Sequence, residues 1–380
     1  MKCVVKIDEY SLVYLEGKVL LNGDFMDQIC ARAGKNVYEL IQDGGFSFDK
    51  ITTYVGAASG PRWLVASGFD LSLLESEVMG NRLPVVLVGS SAGAMRFAAW
   101  TQPEPEKSYN KLIDAYISMS FTRQDSPGNI LHAIRGVIDT YIDDDAVPFA
   151  LVNKKYRLAI ITARAKNLAS FDTKWLQMPV IGTMFLSNIV HRRLIHMFFQ
   201  RVVFHNSPIP PPFCLDRDFR GQAVALNKVN FKHAILASSA IPLAVTGVRD
   251  IYGAPNGTYR DGGLIDYHLN QKYAGGNGSI TLMFNHQERV IPAWLDRKLK
   301  FRQPPERYLE DLLLVYPSDD FMRKLPYCRV PDREDFKRYV NNPSGRIRNW
   351  RRTVDVSKNL GETFLELVAG RKLRDVVKRI

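Results

Sequence analysis

The sequence of 380 residues has only four cysteines, at positions 3, 30, 214 and 328. None forms a Cys-x-x-Cys pair or a cluster with histidine. That excludes a disulfide framework or a zinc ribbon and fits free thiols in a reducing compartment. No run of about twenty apolar residues occurs, so no membrane-spanning helix is expected. The apolar stretches at the N-terminus carry Asp8, Glu9 and Glu16, which makes a poor signal peptide; the expected location is cytoplasmic. There is no internal repeat and no low-complexity tract. No His/Cys or Asp/Glu group has ligand spacing, so neither metal nor cofactor is expected.

Charge is present in excess of one sign. The formal net charge is +12, and +7 of it falls between Arg333 and Ile380, with thirteen basic residues against six acidic. Such an excess draws a protein to anionic surfaces, or it is a solvated face and no more. Nucleic acid is not expected as a partner, because no recognition motif accompanies the charge. Hydrophobic residues make up 46 %, enough for a substantial core.

Short apolar runs rich in β-branched residues read as buried strands: Lys50–Gly56, Pro84–Val88, Arg157–Thr162, Gln222–Leu226 and Ser279–Phe284. Helical stretches lie between them, including one near Phe25–Gln42 and one that starts at Pro61. This alternation predicts an α/β fold with a mostly parallel central sheet. Residues 1–49 read as a lead-in, 50–303 as the main domain, and 304–380 as a basic helical extension. Within the main domain, 175–215 reads as a cap or interfacial insertion. Its bulky Met178, Met184, Phe185, Met197, Phe198 and Phe199 would meet an apolar partner, and His191, Arg192, Arg193 and His196 would face anionic headgroups. The other reading of that stretch is a buried helix with one basic turn at the surface.

One motif carries chemistry. Gly89-Ser90-Ser91-Ala92-Gly93 follows the run "PVVLV" and precedes the small-residue helix "AGAMRFAA". A serine hydroxyl is a poor nucleophile unless a base takes its proton and something stabilises the oxyanion. A strand–Gly-x-Ser-x-Gly–helix turn exposes the serine oxygen. It also sets free N–H groups and a positive dipole end behind it. A turn that needs glycine for packing alone would look the same, so a base must be found. Of the seven histidines, His268 or His286 could serve in the Ser…Asp/Glu…His chain order of an α/β-hydrolase triad, and neither context marks it out. Asp261, ahead of Gly262-Gly263, is a better candidate. The glycines leave its carboxylate uncrowded, and an aspartate within hydrogen-bond reach can act as the base itself.

With these residues in place, the sequence resembles the patatin-like phospholipases. The elbow Gly89–Gly93, the pair Asp261-Gly262-Gly263 and the preceding Ala234–Pro242 ("AILASSAIP") carry the likeness over about Lys50 to His286, with 170 residues from Ser91 to Asp261. The resemblance implies a three-layer patatin-like fold and a Ser91–Asp261 dyad working through an acyl-enzyme. The substrate would be a lipid or other acyl ester; the basic charge, separately from the resemblance, would favour peripheral association with an anionic membrane. The family's glycine-rich oxyanion loop is altered here to "VGAASGPRW" (Val55–Trp63), where Gly56, Ala57 and Ala58, with Ala92, would supply backbone donors. The loop lacks the Lys-Ser/Thr of a P-loop. Arg62 would stand for the family's basic loop residue. A soluble carboxylesterase or thioesterase on the same dyad, and a basic membrane-binding protein on a degenerate hydrolase scaffold, are the other readings. The oligomeric state is not legible.

Overall fold

The computed structural model describes residues 4–7, 10–15, 18–20, 28–215, 221–273 and 278–380. Strands β1 (Val4–Ile7), β2 (Tyr10–Leu15) and β3 (Lys18–Leu20) form an antiparallel meander. Eleven further strands form one sheet: β4 (Ile29–Ala33), β5 (Ile51–Gly56), β6 (Val85–Ser90), β7 (Tyr156–Ala165), β8 (Phe199–His205), β9 (Gln222–Ala225), β10 (Val248–Arg249), β11 (Thr258–Asp261), β12 (Ile280–Phe284), β13 (Leu312–Pro317) and β14 (Val377–Arg379). Its heart, β7-β6-β5-β12-β13, is parallel throughout. Every strand of that heart was expected except β13.

Alternation along these strands divides the interior. Tyr54, Leu87, Leu158, Ile160, Leu282 and Leu313 point to one face, into the main core. Val55, Val88, Ala159, Ile161, Met283 and Leu314 point to the other, where Phe213, Leu269 and Tyr273 cover them. Both faces are therefore dry, as the uninterrupted apolar runs require.

Helices α1 (Lys35–Gln42), α2 (Ser67–Glu75), α3 (Ala92–Trp100), α4 (Pro105–Ser118), α5 (Pro127–Tyr141), α6 (Val147–Val152), α7 (Lys174–Val190) and α8 (Phe231–Ser238) fill the connections, and a long helix spans Pro343–Ala369. A buried charge network fixes α3. Arg96 donates from Nε and Nη2 to the two carboxylate oxygens of Asp70 on α2, both at 2.7 Å. The hydroxyls of Tyr54 on β5 and Tyr109 on α4 donate to the same carboxylate. Four elements thus meet on one fully satisfied ion pair.

The expected boundaries need correction. The stretch 304–380 is not an appendage. It supplies β13, which lies between β12 and β4, and β14 at the sheet edge. Its long helix buries Trp350, Val354, Leu360 and Phe364 in the main core. Gly68 of α2 lies against this helix, with its N–H donating to Ser357 Oγ at 3.0 Å. The helix is charged on the outside and apolar within, and charge counting sees only the outside. Residues 29–49 likewise belong to the sheet layer: the expected helix over 25–42 is strand β4, then Gly34, then α1. Residues 25–27 of it lie outside the described residues. The helix expected from Pro61 is a 3-10 stretch, Gly60–Ala66, leading into α2. The insertion over 175–215 is half sheet: α7 is followed by a 3-10 turn and then β8, paired along β7.

Candidate functional site

The sheet register brings two distant chain segments together. β6 pairs with β7 from Val85↔Tyr156 to Ser90↔Ile161. β8 takes the opposite edge of β7 over Ala159–Ala165. The edge that β6 leaves after Ile161 is therefore open, and β11 fills it antiparallel, with Asp261 opposite Thr162. The carboxyl ends of β6 and β11 thus meet head to head on adjacent rungs. Ser91 and Asp261 are the residues at that junction.

Close backbone approach accounts for the glycines there. A Cβ on Gly93 would collide with the Gly56 carbonyl of β5. One on Gly262 would collide with the Ile161 carbonyl and stand 2.9 Å from Ser90 Oγ, because the chain passes the middle of β7 at Ile161 directly after Asp261. Gly89 is pressed against the start of α3 in the same way.

Ser91 has φ 54° and ψ −119°, a left-handed conformation that costs a non-glycine residue about 1–3 kcal/mol. A brace holds it there. The Ser91 N–H donates to Ser238 Oγ at 2.8 Å, and that hydroxyl donates to the Ile161 carbonyl at 2.7 Å. Ser238 ends α8, so the segment "AILASSAIP" has a mechanical part in the site. The same segment holds Asp261, whose N–H donates to the Ala240 carbonyl at 3.0 Å.

Asp261 is buried. Its Oδ1 accepts from Gly263 N–H at 2.7 Å, and its Oδ2 is buried without a hydrogen-bond partner among the described residues. Burial pushes its pKa up; the Arg333 guanidinium, the Ser91 hydroxyl and the Gly263 amide each pull it back. No hydrogen bond from the Ser91 hydroxyl reaches Oδ2 among the described residues. Catalytic contacts of this kind commonly tighten only in the substrate complex.

A cavity of about 380 Å³ opens beside Ser91. Its walls are chiefly apolar, with Met95, Tyr116, Ile134 and Phe336 among them, and Gly60, Ala92 and Arg333 stand near Ser91. Arg333 is half-buried, packs over Gly60 and makes no salt bridge within 4 Å among the described residues. Sequence reading counted it only as the first residue of a basic tail. No local signal marks it, because its place beside the cavity is set by contact with Gly60, a residue far away in sequence.

The remaining candidates are distributed differently. Ala92, the first residue of α3, lines the cavity, and its N–H has no intrahelical acceptor. Ala58 is not a free donor: its N–H is spent on the Tyr267 carbonyl at 2.7 Å. The loop residues that line the cavity are Gly60 and Pro61, not Gly56, Ala57 or Ala58. Arg62 lies near His268 and His286, whose pKa values its charge lowers, and does not line the cavity. Those two histidines pack edge to face, ring centroids 5.6 Å apart, with His268 buried and His286 half-buried. Burial pushes His268 down to about 3 and His286 well below its ordinary value. None of the described histidines lines the cavity. Arg192 is turned inward, donating to the Ile265 carbonyl at 3.2 Å, and burial lowers its pKa to about 10. Only Arg193 of the expected pair is exposed. The turn that carries them is pinned by Ile195, buried in a side core with Met184 and Leu264, which rotates Arg192 inward.

No known family model matches the chain. No curated protein matches it either. Among solved structures, the heterodimeric complex ExoU-SpcU from the type III secretion system of Pseudomonas aeruginosa contains a chain similar to this one at 11 % identity with a TM-score of 0.33. The match covers 97 % of this chain and spans 58 % of the length of that one. A likeness of that degree carries no argument about the site.

Proposed function

We propose that the chain is a lipid acyl hydrolase that cleaves carboxylic esters with Ser91 as nucleophile and Asp261 as base. The observation that carries this reading is the head-to-head meeting of β6 and β11. It places a strained serine at a helix start against a buried carboxyl, with an apolar cavity alongside. A binding scaffold has no use for the strain at Ser91, whereas a nucleophile gains exposure from it.

On this reading the acyl chain enters the cavity and its carbonyl carbon meets Ser91 Oγ. Asp261 accepts the hydroxyl proton as the C–O bond forms. The oxyanion lies at the start of α3, where Ala92 N–H and the helix dipole act on it, and Gly60, which lines the same cavity, would supply a second donor. Protonated Asp261 returns the proton to the leaving alcohol as the ester bond breaks. It then takes a proton from the water that attacks the acyl-enzyme, and gives it back to Ser91 Oγ as the acid departs. A carboxyl whose pKa is raised by burial suits this traffic, because it holds the serine proton more firmly than an ordinary carboxylate and can still return it. The size and apolar lining of the cavity favour a long acyl chain over a small ester.

The test is labelling with a fluorophosphonate. One adduct per chain at Ser91, lost in Ser91→Ala and accompanied by hydrolysis of long-chain acyl esters, is the expected result. A folded protein that takes no label would leave a scaffold without chemistry.

A further inference from the structure

We propose that the outward side of α7 docks the protein on an anionic lipid bilayer. The value of such docking to catalysis rests on the hydrolase reading, but the contact does not. Among the seventeen residues of α7, only Lys174 at its start is charged. One side is buried through Gln177, Met184 and Asn188. The other carries Trp175, Met178, Leu186, Ile189 and Val190, exposed by 43 to 79 %. At 100° per residue these five fall on one stripe along a helix about 25 Å long. A soluble surface helix puts charge on that side. Leu168 before the helix and Met197 after it extend the patch, each at least 60 % exposed.

Charge selects the occupant. From Thr173 through Leu215 the sequence has no Asp or Glu. The stripe is flanked by Lys174 at one end and by exposed His191 and Arg193 at the other. Two copies pairing these stripes about a twofold axis would set Lys174 of one against Arg193 of the other, a repulsive arrangement. An anionic bilayer meets both basic flanks with charge of the opposite sign and gives the stripe an apolar interior. Trp175 at the basic end suits the headgroup boundary. The helix is also tied to the cavity wall: Gln177 Oε1 accepts from Leu243 N–H at 2.7 Å, between cavity residues Ile241 and Ala244.

Trp175 supplies a probe in the full chain. Trp63, Trp100 and Trp350 are fully buried and Trp294 is partly so, which leaves Trp175 as the exposed indole. Mixing with phosphatidylcholine vesicles that contain phosphatidylglycerol should shift emission to the blue, and brominated lipid should quench it. Trp175→Phe should keep co-sedimentation and lose the shift. The pair Met178→Glu and Leu186→Glu should lower vesicle partition by about tenfold or more per site, with melting unchanged, because each removes a bulky apolar group from the contact. The proposal falls if the protein ignores anionic vesicles. It falls if partition survives the glutamates, or if they turn a dimer into a monomer, which would make the stripe an interface between copies. Ser91 labelling is read separately. Vesicle binding without label keeps this inference and removes the hydrolase; label without binding does the reverse.

Discussion

Arg333 and Asp261 lie 72 residues apart in the chain, and the guanidinium lowers the pKa of the carboxyl that burial has raised. The two effects oppose each other, with burial the larger. If Asp261 is the base, the acid limb of hydrolysis reports its pKa, which lies above the ordinary carboxylate value. Arg333→Gln removes the lowering charge. The limb should then move to higher pH, because a greater fraction of the carboxyl is protonated at any given acidity. Arg333→Lys should leave it nearer the wild-type position. A pH–rate profile of kcat/KM on a neutral ester reads the shift directly. An unmoved limb would detach Arg333 from Asp261.

Ser91 and its neighbour Ser90 separate chemistry from packing. Ser91→Ala should abolish ester hydrolysis, whereas Ser90→Ala should keep most of it, since Ser90 Oγ is buried beside Gly262 and away from the cavity. Ser91→Gly should also abolish turnover and should raise stability by about 1 kcal/mol or more, since glycine relieves the left-handed strain. Thermal melts beside turnover assays check both. A glycine variant that melts lower would mean that the conformation is not strained.

Asp261→Asn should lower turnover by about a hundredfold or more, because the amide cannot take the serine proton. Its effect on stability has a definite sign. The carboxyl has a higher pKa folded than unfolded, so ionising it opposes folding. Its contribution is most favourable below the unfolded pKa and is lost as pH rises through that value towards the folded one. At pH 7 the neutral amide should melt no lower than wild type. His268→Ala and His286→Ala, away from the cavity, should each change turnover by less than about tenfold. A thousandfold loss at either would restore a histidine to the mechanism.

How much of this was legible in the sequence depended on the range of the signal. Strands β5, β6, β7 and β12 declare themselves, because a strand dry on both faces must be an apolar run; β9, a partly buried edge strand, shows only as a short apolar run. β13 is as apolar, but it sits in a segment whose charge dominates any wider reading. β8 was hidden differently: Phe199–His205 continues the apolar texture of α7, and only pairing with β7 distinguishes strand from helix there. Within the site, Ser91 and Asp261 were visible because glycines at fixed offsets mark the places where backbones cross. Arg333, Gly60 and Ser238 had no such mark, since their roles arise from contacts between segments far apart in sequence. Arg192 shows the converse, a basic residue whose charge suggested the surface and whose side chain is folded inward.

Asp70→Ala should destabilise the protein by about 3–5 kcal/mol, since it leaves the Arg96 charge buried and unpaired and removes the acceptor of two tyrosine hydroxyls. Asp70→Ala with Arg96→Met should recover part of that loss. Denaturant melts of the two single variants and the double variant give the coupling. Simple additivity would mean that the network is not a unit.

Ser238→Ala tests whether the brace behind Ser91 positions the nucleophile or only fills space. The hydroxyl accepts from Ser91 N–H and donates to the Ile161 carbonyl, so its loss leaves a buried donor and a buried acceptor unpaired. Each such group costs about 1–3 kcal/mol, and a drop in stability of that order is expected on packing grounds alone. Catalysis discriminates. With its amide released, Ser91 can relax from φ 54° towards an ordinary helical conformation. The hydroxyl would then swing away from Asp261 and from the start of α3. In that case kcat and the rate of fluorophosphonate labelling should fall together by about tenfold or more, while KM, set by the cavity, changes little. Ser239→Ala is the control: Ser239 lines the cavity, but among the described residues its hydroxyl bonds to the Ile235 carbonyl in the turn before it and to no group of another strand or helix. Equal losses in the two variants, or a Ser238→Ala protein that melts early yet labels at the wild-type rate, would reduce the brace to packing.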